Sequence, residues 1–286
     1  MTVITTVISK YCTAHASDSL ITKEKESGDG KREVVEQEKS KIVCMRPWRG
    51  AMTCWGLAKI GNQWTVDWLK ERAMRVNQVT DPEEFAVSVR DQLNSALSRM
   101  RFRKPLDAGI GIHFTVYEYI DGYRIPELFQ ITNFRDPPVG SAYRYQELYQ
   151  EGVKVRREAY EAYAINNKEE QDKPSRSRHG LPEYRHELRK YLNEGGILVF
   201  NNGDTVMFNA AISGILNMFE ATRARGVLDL PGEPATFRKM ALWPIDQVCK
   251  VQENFVKEGC RLVGGKRHNI SITPDGEYDS DTGDNC

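Results

Sequence analysis

The sequence predicts an α+β protein built as a four-layer αββα sandwich. A β-branched run at residues 3–8 predicts a buried strand at the start of the chain. Two segments with helical patterning, 56–77 and 81–100, come next, and a β-hairpin with a glycine turn follows over residues 109–134. Strands at both ends, with two helices and a hairpin between them, favour two stacked sheets that are covered by helices.

The composition limits the class of protein. The chain has 286 residues, within the range of one large domain, and its 40 basic and 40 acidic residues give a formal net charge of zero. The basic residues are dispersed, so we expect no nucleic-acid partner. No apolar run is long enough to span a bilayer, and no signal-peptide core is present. We therefore expect a cytoplasmic protein with no membrane partner.

The six cysteines and five histidines show no metal-ligand spacing. The cysteines form no CxxC pair, and the histidines are not paired at ligand distance along the chain. We expect reduced thiols, no metal and no cofactor.

The first strand leads into a second extended segment. Residues 11–17 predict the other half of a hairpin, which would return Asp18 to the start of the chain. The charged stretch at 23–40 contains a Gly-Asp-Gly turn signal and predicts an exposed loop. Lys41 then begins two short apolar strands joined around Pro47.

The helical segments carry apolar stripes that predict core packing and not a cofactor site. In the second helix the stripe has helical spacing, and a strong amino-terminal cap begins at Asp81. His113 lies on the following strand among alternating apolar residues, which favours a structural histidine over a catalytic one.

The second half of the chain adds an insertion and a tail. Residues from about 143 to 195 are charged and helical in pattern, with a mobile tip expected at 166–180. We interpret 1–274 as one domain and the acidic segment 275–286 as a disordered tail.

Thr2 is the candidate nucleophile. Because residue 2 is small, removal of Met1 is expected to leave Thr2 with a free α-amine, whose pKa of roughly 7.7–8.0 suits a base near neutral pH. A threonine that carries its own base needs no histidine. The alternative is that Thr2 is an ordinary first residue of a strand.

The segments TVITTVIS and SDSLIT together resemble the opening of proteasome β-type subunits, which are N-terminal nucleophile (Ntn) hydrolases. Counted from Thr2, Asp18, Ser19 and Thr22 fall at the spacing of the family's Asp, Ser and substrate-binding Thr. The resemblance covers 2–22, 41–136 and 244–277, and it implies the four-layer Ntn-hydrolase fold.

The resemblance also implies a catalytic lysine. Alignment on Pro47, Gly56 and Ala58 places Lys41 at that position, with Lys39 as the alternative. A nearby ammonium would favour the alkoxide form of the threonine hydroxyl. The family's aspartate, here Asp18, would in turn hold the lysine.

The chain departs from the family pattern at several places. Trp55 stands where the family has the first Gly of a Gly-Gly pair, although its backbone N–H remains available for an oxyanion hole. Gly56 follows, and an indole beside it would crowd the substrate groove. Ser141, in a Gly-Ser pair, is the candidate for the serine near the nucleophile's amine. Cys260 and Val263 occupy the positions where active subunits carry a supporting Asp and Ser.

Two functions remain open at this stage. The first is a threonine-type peptidase that hydrolyses an amide bond in a peptide substrate, with Thr2, Asp18, Lys41 and Ser141 as catalytic residues. Thr22, Trp55 and Gly56 would then line the substrate site. The second is a catalytically silent, proteasome-like structural or assembly subunit. Either one is expected to form a homo-oligomer, because the family forms rings.

Overall fold

The computed structural model describes residues 3–20, 39–76, 81–97, 99–100, 109–120, 122–132, 160–161, 189–202, 217–219, 221–230, 232–256 and 263–281. The helices whose full lengths lie within these residues are α1 Thr65–Ala73, α2 Pro82–Leu97 and α3 Pro234–Phe255, with a 3-10 turn at Arg46–Trp48. The strands are β1 Ile4–Ile8, β2 Thr13–Asp18, β3 Ile42–Met45, β4 Gly50–Gly56, β5 Lys59–Ile60, β6 Gln63–Trp64, β7 Ile110–Ile120, β8 Tyr123–Thr132, β9 Tyr160–Glu161, β10 Leu198–Asn202, β11 Arg267–Ile272 and β12 Tyr278–Asp279.

Two five-stranded sheets form the centre of the protein. The first sheet has the order β10-β1-β2-β11-β12, and the second has the order β3-β4-β7-β8-β9. Neighbouring strands are antiparallel in both sheets. The short strands β5 and β6 form a separate two-stranded hairpin.

Helices cover the outer face of each sheet. Helices α1 and α2 bury their apolar stripes against β4, β7 and β8, where Leu69 and Val89 lie in one cluster with Met52 and Phe114. Helix α3 packs on the first sheet through a second cluster, formed by Phe237, Ala241, Ile245 and Val248 with Val3, Val7, Ala14 and Ala16. These two clusters, one on each sheet, confirm the predicted four layers, with helices outside and two sheets between them.

A buried polar network joins the two sheets at their centre. The Thr6 hydroxyl contacts Nδ1 of His15 at 3.2 Å and Nδ1 of His113 at 3.1 Å. His15 also contacts the hydroxyls of Thr53 at 3.4 Å and Thr115 at 2.7 Å. Burial lowers the pKa of both histidines to about 3, so both rings are neutral near pH 7.

Most predicted elements are present, and one helix is shorter than predicted. The hairpins β1–β2 and β7–β8 and helix α2 lie where the sequence predicts them. The helix predicted over 56–77 begins only at Thr65. Gly56 ends β4 with φ +90°, and the β5–β6 hairpin turns at Gly61 with φ +61° before the helix starts.

The predicted disordered tail is ordered in its first part. Tyr278–Asp279 pair with β11 as strand β12. The buried Arg238 guanidinium of α3 binds the Asp279 carboxylate and lies 2.9 Å from Asp281. Composition alone suggested disorder because it cannot reveal a buried cation that binds two of the tail's acidic residues.

The prediction of reduced thiols is wrong at one position. Cys44 is disulfide-bonded, whereas Cys12, Cys54 and Cys249 are free and buried.

None of the described helices is both long and apolar enough to cross a membrane. Most of the 23–40 loop and of the 143–195 insertion lies outside the described residues.

Candidate active site

Asp18 lies at the end of β2, beside the first described residue of the chain. Its side chain is fully buried, and its carboxylate is held by two backbone donors. The Val3 N–H donates to Oδ1 at 3.0 Å, and the Gly264 N–H donates to Oδ2 at 3.3 Å. The Asp18 N–H in turn donates to the Val3 carbonyl at 3.3 Å. These bonds fix the carboxylate between β1 and the segment that leads into β11.

Lys41 brings a positive charge to this carboxylate from the other sheet. Its Nζ donates to Asp18 Oδ1 and to the Leu20 carbonyl, each at 3.1 Å. The Lys41 carbonyl accepts the Cys54 N–H at 3.1 Å, so the lysine backbone is anchored on β4. Only 9% of the lysine side chain is exposed. A lysine at the start of a strand is usually solvent-exposed, and this one is buried because its charge is paired.

Lys39 occupies a different environment. Its ammonium binds the Asp67 carboxylate of α1 and lies 5.4 Å from the Trp64 ring, with 30% of its side chain exposed. Of the two candidate lysines, the structure therefore brings Lys41 to Asp18 and leaves Lys39 near the surface.

The Lys41 ammonium and the Val3 nitrogen share one carboxylate oxygen. Since both lie about 3 Å from Asp18 Oδ1, they are no more than about 6 Å apart.

Cys54, whose Sγ lies 3.8 Å from the Lys41 carbonyl, does not compete as a nucleophile. Burial raises the pKa of the Cys54 thiol to about 12, although the Lys41 charge acts in the opposite direction.

Trp55 lies on β4 directly opposite Gly111 of β7. A Cβ atom on Gly111 would lie 2.0 Å from the indole Nε1, so the indole fills the space that a side chain on β7 would otherwise take. Only 9% of Trp55 is exposed. The glycine is what makes room for the tryptophan at this position.

The backbone N–H groups at the end of β4 alternate in direction. The Cys54 N–H donates toward β3, and the Leu57 N–H donates to the Gly109 carbonyl at 2.7 Å on the β7 side. Strand geometry then directs the Trp55 N–H toward β7 and the Gly56 N–H toward the side of Lys41. Gly56 is exposed, and its φ of +90° requires glycine because a Cβ would lie 2.2 Å from the Gly109 carbonyl oxygen.

The segment that leads into β11 contributes backbone and not side chains to this region. Val263 stands at the position where active subunits of the family carry a supporting serine, and it is apolar and fully buried. Gly264 donates its N–H to Asp18 and accepts the Leu20 N–H at 3.0 Å. Gly265 lies against Ser19, whose Oγ would be 2.6 Å from a Cβ on the glycine.

Several predicted site residues lie outside the described residues: Thr2, Thr22, Ser141 and Cys260. Among the residues that are described, no cluster of histidine, cysteine or acidic side chains is suited to hold a metal ion. The sequence analysis missed the Leu20 carbonyl and the N–H groups of Val3 and Gly264. Every residue type offers the same backbone carbonyl, and all but proline the same N–H, so the sequence does not show which backbone groups bind the carboxylate or the ammonium. Only the position of Gly264 in a Gly-Gly pair indicates a close approach of the backbone.

Two stacked antiparallel sheets between layers of helices are the fold of proteasome β-type Ntn hydrolases, as the sequence predicted. Among solved structures, the chain is similar to Anbu (ancestral beta-subunit) from Yersinia bercovieri, with a TM-score of 0.50 and 13% sequence identity. The match covers 99% of this chain and 88% of that chain. No protein-family model and no curated protein matches the sequence. At this identity the similarity establishes the fold alone.

Proposed function

We propose that the protein is a proteasome-like peptidase that hydrolyses amide bonds with Thr2 as its amino-terminal nucleophile. The observation that supports this function best is the buried Asp18–Lys41 pair, which shares its carboxylate with the Val3 N–H. Threonine chemistry needs a cation near the nucleophile, and the buried Lys41 ammonium is bound to the same carboxylate oxygen as the N–H of Val3, the residue that follows Thr2 in the sequence.

The proposed reaction begins with the Thr2 α-amine as the base. The amine takes the hydroxyl proton, and the Thr2 Oγ attacks the carbonyl carbon of the scissile amide, which gives a tetrahedral oxyanion. The oxyanion collapses as the ammonium gives its proton to the leaving amine, and an acyl ester remains on Thr2. Water, activated by the same amine, then hydrolyses that ester and restores the free hydroxyl.

Lys41 acts on the first step through its charge. A fixed ammonium near the threonine hydroxyl favours the developing alkoxide and disfavours protonation of the α-amine in the resting state. The Asp18 carboxylate and the Leu20 carbonyl each accept a hydrogen bond directly from the ammonium and hold it in place. Because the pair is buried, its field is only weakly screened by water.

The oxyanion would be held by backbone N–H groups near Trp55. The directions of the N–H groups along β4 support Gly56 as the donor that faces the Lys41 side, since the Trp55 N–H points toward β7. An extended peptide substrate beside this exposed end of β4 would place its scissile carbonyl near the Gly56 N–H and the Lys41 ammonium. Thr22 and Trp55 remain proposed substrate contacts, and Ser141 remains the proposed partner of the α-amine.

A catalytically silent structural subunit is the second candidate. Two observations favour it: the bulky Trp55 at a position that is glycine in the family, and the apolar Val263 in place of a supporting serine. The buried Lys41–Asp18 pair favours the enzyme, because apolar residues in place of a buried ion pair are often as stabilising or more so, and stability alone therefore does not account for the pair.

Assembly is part of either proposal. One solved structure of similar fold is named a beta-subunit, and we propose that this chain also forms a homo-oligomer. Light scattering of the purified protein measures this directly, and a monomeric mass would contradict it.

A covalent probe tests the enzymatic function. Epoxyketones and β-lactones react with an amino-terminal threonine, and intact mass measures the adduct while peptide mapping locates it. We expect one adduct per chain on Thr2, none on Thr2→Ala, and little on Lys41→Met. If the wild-type protein begins at Thr2 and is folded but takes no label, the silent subunit is the better description.

A further inference from the structure

Two arginine side chains converge on one carbonyl oxygen at the end of the sandwich opposite the candidate active site. Arg49 immediately precedes β4, whose other end is Gly56, and Arg124 lies near the start of β8. The Nη1 atom of Arg49 donates to the Pro274 carbonyl at 2.9 Å, and Nη1 of Arg124 donates to the same oxygen. The two Nη1 atoms are therefore no more than about 6 Å apart. Like charges at this distance repel each other.

The backbone around Arg49 accommodates this arrangement. Arg49 has φ +51°, and among the described residues it is the only one other than glycine with a positive φ. It follows the 3-10 turn at a position where glycine is the usual residue. Gly276, with φ +87°, leaves room for the arginine stem, because a Cβ there would lie 3.1 Å from Arg49 Cγ. The chain thus keeps a charged side chain where its backbone conformation favours glycine.

Most N–H groups of the two guanidinium groups have no acceptor in the protein. Each guanidinium carries five N–H donors. Among the described residues, Arg49 and Arg124 donate only through Nη1, so the edge formed by Nε and Nη2 is unused in both. Neither guanidinium contains a buried nitrogen without a partner, so these edges are open to solvent. A planar edge of this kind binds a carboxylate with two parallel hydrogen bonds.

One carboxylate in the described part of the chain reaches this pair, and it does so loosely. Asp275 Oδ1 lies 3.4 Å from Arg124 Nη1, and 91% of the aspartate side chain is exposed. Arg49 forms no ion pair with a described residue, and its guanidinium bonds only to the Pro274 carbonyl. The position of Asp275 shows that a carboxylate can approach the two cations, which its exposed side chain only partly neutralises.

Exposed tyrosines beside the arginines indicate the kind of ligand. Tyr119 lies directly opposite Arg124 on β7 and is 71% exposed. Tyr123 is 50% exposed, and the Arg189 guanidinium stacks on its ring at 3.1 Å from the centroid. Tyrosine and arginine are enriched in protein–protein interfaces, where they form many of the strongest contacts. This composition suits a protein segment better than a free ion.

We propose that Arg49 and Arg124 form a binding site for an acidic segment of a partner protein. One carboxylate of that segment displaces Asp275 and bridges the two guanidinium groups, and Tyr119 packs against the neighbouring residues of the segment. The site does not rest on the proposed function, because the length of β4 separates it from Gly56 by roughly 20 Å.

Fluorescence anisotropy of a labelled hexaglutamate peptide with the purified protein tests the site. We expect saturable binding to the wild-type protein. The double variant Arg49→Lys with Arg124→Lys keeps both charges but loses the planar edges, and should weaken binding at least about tenfold. The control is Arg75→Lys with Arg225→Lys, which changes two exposed arginines elsewhere and should leave the affinity unchanged.

A gain of affinity provides a test that a damaged protein cannot imitate. Asp275→Asn removes the carboxylate that competes for Arg124, so binding of hexaglutamate should tighten by about threefold or more. Asp229→Asn changes the net charge equally at another exposed position and should leave the affinity unchanged.

Four outcomes would overturn the proposal. The first is no saturable binding of hexaglutamate to the wild-type protein. Equal binding by the double lysine variant would show attraction by net charge alone. Unchanged affinity in Asp275→Asn would contradict the displacement. Saturable binding of inorganic phosphate, together with failure of hexaglutamate to compete for it, would replace the protein segment with a free ion. None of these outcomes bears on hydrolysis.

Discussion

Asp18 and Lys41 form a buried ion pair that joins the two sheets of the sandwich. Asp18 ends β2 in the first sheet, and Lys41 immediately precedes β3 in the second, with 3.1 Å between Oδ1 and Nζ. Removing one partner of a buried pair leaves an uncompensated charge, which costs about 3–5 kcal/mol. The same contact therefore bears on both stability and catalysis.

Lys41→Met tests both roles. We expect the free energy of unfolding to fall by about 3–5 kcal/mol, since the Asp18 carboxylate stays buried without its cation. Hydrolysis should fall at least about a hundredfold, as when one oxyanion donor is lost. Chemical denaturation and peptidase rates below the transition measure the two effects.

The matched controls separate the two roles of Lys41. The double variant Lys41→Met with Asp18→Asn should recover much of the stability and none of the activity. Lys39→Met removes a half-exposed cation paired with Asp67 and should change neither. Full activity in Lys41→Met, combined with loss in Lys39→Met, would show that Lys39 is the functional lysine.

Gly111→Ala should be destabilising because of Trp55. A Cβ atom would lie 2.0 Å from the indole Nε1, and overpacking of this kind costs about 1–3 kcal/mol. The combination with Trp55→Gly should remove the clash and recover part of the loss. A Gly111→Ala protein with an unchanged denaturation midpoint would contradict the placement of the indole.

Acidification should destabilise the centre of the sandwich through His15 and His113. Burial lowers the pKa of both rings to about 3, below the ordinary value of 6.5, so the unfolded chain binds more protons between these pH values. The contribution of the two neutral rings to the free energy of unfolding is complete above about pH 6.5, and it is lost as the pH falls toward 3. For two histidines the limiting slope is about 2.7 kcal/mol per pH unit.

Denaturation midpoints between pH 7 and pH 4 measure this slope. His15→Gln removes one of the two titrating rings and should reduce the slope by about half, whatever its effect on stability at pH 7. An equal slope in the variant and the wild-type protein would show that other groups dominate the acid response.

Arg238→Met should release the carboxyl-terminal hairpin. The guanidinium binds Asp279 and Asp281 and also donates to the Ser271 hydroxyl at 3.1 Å. Without the guanidinium the two carboxylates lose their buried cation, and the amides of 278–281 should exchange faster with solvent deuterium. Arg90→Met, which removes a surface pair with the adjacent Asp91, is the control and should leave this exchange unchanged.

The fold was predictable where the periodicity of side chains is strong. Three elements have an unambiguous pattern: the β-branched run predicts strand β1, the alternation of apolar residues predicts strand β7, and the apolar stripe at helical spacing predicts helix α2. The start of α1 was missed because apolar and aromatic residues between Gly56 and Trp64 suit a helix and a strand equally. There the positive φ values of two glycines decide the structure.

The candidate site was only partly predictable. The spacing of Asp18 and Lys41 from Thr2 identified two side chains that meet in the structure, although they are 23 residues apart. The groups that hold them, the Leu20 carbonyl and the Gly264 N–H, are backbone atoms that any residue could supply. The packing of Trp55 on Gly111 depends on cross-strand register, which no local pattern specifies.

The most direct measurement of the central claim compares one protein with a free Thr2 and one in which Thr2 is blocked. The proposed mechanism needs the α-amine and the hydroxyl on the same residue, because the amine is the base. A protein that carries an uncleaved amino-terminal tag should be folded and inactive, and Thr2→Ala should be equally inactive, whereas Thr2→Ser should keep part of the rate. Removal of the tag to expose Thr2 should restore both hydrolysis and a probe adduct on that residue. If the uncleaved, tagged protein hydrolyses peptide as fast as the protein that begins at Thr2, the threonine-nucleophile mechanism is wrong.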